Sequence, residues 1–148
     1  MFRNTLLIVF SLVGLHLSAQ NKISTVFNKK TSNLPCTQNA TYENINGKIN
    51  VSIMTNDGQL LELNNIDESQ FKCGKKMNSL KPKIVLINEK KNQTWVSNSS
   101  INISIKCKGV PNEYHVFFSG LIKNNKQKMF LSCNLQVKSK PKKHLIIN

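Results

Sequence analysis

Arginine, acidic residues, paired cysteines and long apolar runs are all scarce in this 148-residue chain, and each shortage removes a class of function. Arg3 is the one arginine among 21 basic residues, so every later basic side chain is lysine. Specific nucleic-acid readout relies on arginine forks and aromatic platforms. Here the lysines stand singly or in pairs, and the one tryptophan, Trp95, has no basic cluster around it. The net charge of +14 therefore reads as the lysine and asparagine bias of AT-rich coding, and nucleic acid is not an expected partner. Loose attraction to anionic glycans or cell surfaces stays open, with "KSKPKK" at 138–143 as the densest patch.

The seven acids, Glu43, Asp57, Glu62, Asp67, Glu68, Glu89 and Glu113, are scattered. No HExxH, Ser-His-Asp or glycine-rich phosphate motif accompanies them. His115 in "EYHVFF" falls on a strand surface, where a solvated histidine is the plainer reading than a general base. The chain is read as non-enzymatic and without a cofactor. There is no CxxC pair, and cysteine gaps of tens of residues with only His115 and His144 nearby do not match zinc-ligand spacing, so no metal site is expected.

The one apolar run lies at residues 6–17, after Arg3 and before a small-residue exit at Ser18 and Ala19. That is the pattern of a cleaved secretory signal peptide over 1–19. The run is shorter than the roughly 20 residues of a spanning helix. The end, "KSKPKKHLIIN", lacks the hydrophobic tail of a GPI signal. The expected product is extracellular and not inserted in a membrane: an N-terminal segment (20–33), one domain (34–139) and a basic tail (140–148).

Cys36, Cys73, Cys107 and Cys133 all lie in that mature part, and an even number in an exported chain points to two disulfides. Four cysteines allow three pairings, and spacing alone does not choose among them.

Strand patterning dominates. "KINVSIM" (48–54) alternates Ile49, Val51 and Ile53 against polar neighbours, and "INISIKC" (101–107) repeats the alternation. "NDG" (56–58) supplies turn chemistry. "QLLELNNI", "SQFKC", "KIVLINE", "EYHVFFSGLI" and "KMFLSCNLQVKS" read as further strands, the last two joined through "KNNKQ" as a hairpin. About seven short strands with no sustained helical period predict an all-β, disulfide-stapled antiparallel sandwich. No Cys-Trp-Cys spacing of immunoglobulin type appears.

Five sequons begin at Asn39, Asn50, Asn92, Asn98 and Asn102 and are candidate glycosylation sites. Residues 88–100, "NEKKNQTWVSNSS", read as a long polar loop holding Trp95. Trp95 either covers the domain edge or anchors a partner, and it is the candidate partner-binding residue.

The stretch "ESQFKCGKKMNSLKP" (68–82), followed by "PNEYHVFFSGL" and "FLSCNLQVKSK", resembles the cysteine-rich surface-antigen domains of apicomplexan parasites. These are the six-cysteine family of malaria parasites and the related SRS family of coccidians. In that resemblance Cys36 opens the domain, Cys73 with Gly74, Leu80 and Pro82 forms a strand-and-turn element, and Cys133 with Leu135 and Val137 closes it. It covers residues 34–139. The chain departs from the family pattern at Ser119-Gly120-Leu121, which lacks a cysteine, and it shows a single domain.

The malarial pattern implies Cys36–Cys73 and Cys107–Cys133, the pairing preferred here; the coccidian pattern implies Cys36–Cys133 and Cys73–Cys107. By the same resemblance the chain is an adhesin or host-interaction antigen, secreted and retained at the cell surface through a partner. That partner is a host receptor or serum protein, or a membrane-anchored parasite protein. The alternatives carried are a lipid-binding sandwich of the MD-2-related type and a venom, salivary or helminth immunomodulator.

Overall fold

The computed structural model describes residues 21–141. The signal segment at 1–19 and most of the basic tail lie outside the described residues. Eleven strands follow one another: β1 (Lys22–Phe27), β2 (Lys30–Pro35), β3 (Ala40–Ile45), β4 (Lys48–Met54), β5 (Leu60–Asp67), β6 (Lys76–Ser79), β7 (Lys83–Asn88), β8 (Gln93–Ser97), β9 (Ile101–Cys107), β10 (Glu113–Lys123) and β11 (Lys128–Ser139). Single 3-10 turns occupy Glu68–Gln70 and Glu89–Lys91.

The chain is all-β, and its strands are antiparallel except where β11 runs parallel to β3. Hydrogen bonding joins them into one sheet that does not divide into two. The two long strands each serve two neighbours on one edge: β10 pairs β9 and then β8, while β11 pairs β1 and then β3. Since β10 and β11 also pair with each other, the series β3-β4-β5-β7-β8-β10-β11 closes on itself. Closure removes most of the exposed backbone edge that invites non-specific pairing. The β2–β1 and β6–β9 pairs extend from the ring as flaps.

Alternation drives the core. Ile49, Val51 and Ile53 of β4, Leu61 and Leu63 of β5, Ile101, Ile103 and Ile105 of β9 and Leu131, Leu135 and Val137 of β11 all point inward and are buried in one cluster. Each such side chain contributes about 1.5–3 kcal/mol of transfer free energy. The phase slips once, between Leu63 and Ile66, because Asn64 and Asn65 together face Asn50. Asn65 takes the left-handed conformation (φ 65°), and its N–H donates to Asn50 Oδ1 at 3.0 Å. This β-bulge returns Ile66 to the core. Asn46-Gly47 (φ 52° and 77°) makes the tight β3–β4 turn, where positive φ at both positions suits Asn and Gly.

Three expectations are corrected. "SQFKC" is not a strand: the chain turns through the 3-10 segment so that Phe71 can be buried against Tyr42 and Tyr114, with ring centroids 5.1 and 5.0 Å away. The domain does not start at 34, because β1 is paired along β11 and β2 along β1. Residues 88–100 are not a long loop, because β8 occupies their middle and pairs with β7.

Candidate functional site

β8 brings the polar segment 91–98 to a surface cleft of about 730 Å³, whose other wall is the tip of the β10–β11 hairpin, residues 123–126. Strand alternation sends Trp95 and Ser97 into the core and Thr94 and Val96 toward solvent. Trp95 is 7% exposed and sits opposite Leu86 of β7, so it is a core residue. The expected segment lines the cleft, while the residue singled out in it faces away. Ser97 is buried and accepts a hydrogen bond from the Ile84 N–H at 2.9 Å.

The edge of β8 facing this cleft is incomplete. Its only ladder partners in β10 are Ile122 and Lys123, opposite Ser97 and Val96, so residues 93–95 have none on that side. The hairpin tip turns away through its own bond, Asn124 N–H to Gln127 O at 3.1 Å. Lys91, Lys123 and Lys126 are exposed around the gap, and the five ion pairs of the described residues all involve other lysines. An open strand edge of about 10 Å ringed by unpaired cations is what remains for a ligand.

A second groove, about 480 Å³, lies over β6, β9, β10 and β11. Its register aligns Asn78, Asn102, Ser119, Ser132, Ser24 and Asn33 in one row across six strands. Beside that row, Phe130 (44% exposed) and Val26 (38% exposed) are cross-strand neighbours. His115 is half-buried on β10; burial, and then Lys108 and Lys106, hold its pKa below the usual histidine value. It therefore favours the neutral imidazole. Among the described residues no three His, Cys, Asp or Glu side chains gather where they could hold a metal ion.

Cys73 and Cys107 form a disulfide, with Cα atoms 5.2 Å apart. This overturns the preferred pairing of Cys36 with Cys73 and Cys107 with Cys133. The cause is the loop after Phe71, which hydrogen-bonds back to β9: the Gly74 N–H donates to Ile105 O at 2.8 Å, and the Ile105 N–H to Lys75 O at 2.9 Å. Cys36 and Cys133 are thiols. Burial pushes the Cys133 pKa well above the ordinary value of 9.0, and the nearby Cys36 pushes it further the same way. Cys36 is also raised, by burial and then by Asp57.

Of the five sequon asparagines, Asn39, Asn92, Asn98 and Asn102 are exposed, whereas Asn50 is half-buried and spent on the bulge. No family model, curated protein or solved structure matches this chain.

Proposed function

We propose that the chain is a secreted, non-enzymatic binding protein acting through protein–protein contacts, and that the cleft beside β8 is its contact surface. The occupant is an extended, acidic segment of the partner, which adds to the open edge at residues 93–95. One observation carries this reading: the β8 edge lacks a ladder partner where three unpaired lysines surround it. In strand addition the main-chain bonds supply affinity and the flanking side chains supply selectivity. A cleft lined by lysines and by no acid favours carboxylates on the incoming strand.

The surface-antigen resemblance names a host receptor or serum protein, or a membrane-anchored protein of the producing cell, as the partner's source. A lipid-binding reading has less support, because the inward-facing side chains form one continuous packed cluster.

The test is affinity capture by the mature, oxidised protein from host plasma and from detergent-solubilised surface membranes, alongside a Lys91→Glu/Lys123→Glu/Lys126→Glu variant. The expected result is a protein bound by the parent and lost by the variant, with a synthetic peptide of its acidic segment competing. A partner retained equally by the triple variant removes the cleft from the site.

A further inference from the structure

The sequon at Asn102 lies inside the second groove, whereas Asn92 and Asn98 line the cleft beside β8. Asn102 projects outward from β9, and its Oδ1 accepts a hydrogen bond from Asn78 Nδ2 at 2.7 Å. That bond orients the amide while leaving Asn102 Nδ2 unspent. Ser104, the third residue of the sequon, shares the groove with Ser119, Ser132, Asn78 and Phe117.

We propose that Asn102 carries an N-linked glycan and that its first sugar is seated in this groove. The inference rests on the secretory reading above. In the modification Asn102 Nδ2 attacks the anomeric carbon of a lipid-pyrophosphate-linked oligosaccharide. The N–C bond forms, the bond from that carbon to the pyrophosphate oxygen breaks, the amide nitrogen loses one proton and the lipid pyrophosphate departs.

The surroundings match what would then be attached. Serine hydroxyls and the Asn78 amide offer both donors and acceptors to sugar hydroxyls. The half-buried Phe117 gives an apolar wall for the C–H face of a pyranose ring, and Lys106 sits 5.3 Å from its centroid. At about 480 Å³ the space falls within the range of small-ligand sites. Asn50, by contrast, is half-buried within β4, where Asn102 is exposed on β9.

The test is expression of the full chain in eukaryotic cells, with glycopeptide mass spectrometry of the secreted protein and timed deglycosylation by a glycosidase. The expected result is an occupied Asn102 whose glycan is released at least tenfold more slowly from native than from denatured protein. Phe117→Ala should raise the native rate while near-ultraviolet circular dichroism stays unchanged. Unmodified Asn102 in a secreted chain glycosylated elsewhere overturns the site, and equal native and denatured rates overturn the seating. A chain that stays in the cytosol with every sequon bare overturns the secretory reading and this inference with it.

Discussion

Gly120 offers a sharp test of how the closed sheet is packed. It lies on the inward face of β10 between Phe118 and Ile122, both buried. A Cβ built there would stand 2.6 Å from Ile101 Cγ2, 3.3 Å from Ile101 Cβ and 3.5 Å from Ile84 Cδ1. Ile101 is fully buried and β-branched, so its χ1 has little freedom to move the methyl away. Overpacking of this kind costs about 1–3 kcal/mol. Restricting the unfolded chain by Gly→Ala returns about 0.4–1 kcal/mol. The net expectation for Gly120→Ala is a loss of about 1–2 kcal/mol, and for a domain of this size a Tm lower by roughly 3–10 °C. Thermal unfolding followed by circular dichroism, on oxidised parent and variant, measures it. Ile101→Leu removes the offending Cγ2, so the double variant should be less destabilised than the sum of the two single changes by about 1 kcal/mol. A Gly120→Ala protein as stable as its parent, or additive single effects, would refute the β9–β10 packing described here.

Trp95→Ala should cost about 3–5 kcal/mol of stability, from loss of a buried aromatic side chain, while protein that remains folded keeps its partner affinity. A stable variant that has lost binding would restore Trp95 to the site. A non-reducing peptide map should yield the Cys73–Cys107 pair; a Cys36–Cys73 or Cys107–Cys133 peptide would contradict the attachment of residues 74–75 to β9. Because folding raises the Cys133 pKa, the unfolded chain loses its proton first, so the Cys133 contribution to stability should be constant below about pH 9 and be lost above it. Cys133→Ala should flatten that fall in urea titrations at pH 8 and pH 10, and an unchanged slope would remove the thiol as its cause. Partner binding should weaken between low and physiological salt, as screening over about 8 Å at 0.15 M reduces the pull of Lys91, Lys123 and Lys126, while the main-chain bonds of strand addition keep the complex formed. A steep polyanion-like loss would move anionic glycans to first place.

The core was legible wherever alternation was strict. Ile49-Val51-Ile53 and Ile101-Ile103-Ile105 read as strands and are strands, since a period of two with β-branched residues has one comfortable home. β2 and β6 escaped because "KTSNLP" and "KMNS" are short and mostly polar, and β1 because "KISTVF" puts the polar Thr25 on its buried face and Val26 on its exposed one. β8 escaped because a segment of Asn, Lys and Ser masks one Trp and one buried serine, and only pairing with β7 reveals the alternation. Phe71 and Cys73 misled in the opposite sense, since an apolar-x-Cys step reads as a strand end when its phenylalanine instead fills an aromatic cluster. The cleft itself was not legible, because an unpaired edge follows from where β10 stops pairing. Only the segment that lines one wall was visible in the residues.

The most direct test of the central claim is amide hydrogen exchange of the captured complex, compared with the free protein. Binding through the open edge predicts new protection at those positions among Gln93, Thr94 and Trp95 whose N–H faces away from β7, since alternate N–H groups already serve the β7 ladder, and at the 123–126 tip, with β9 and β6 unchanged. Protection confined to the Phe117 and Phe130 face, with residues 93–95 exchanging as in the free protein, would contradict it.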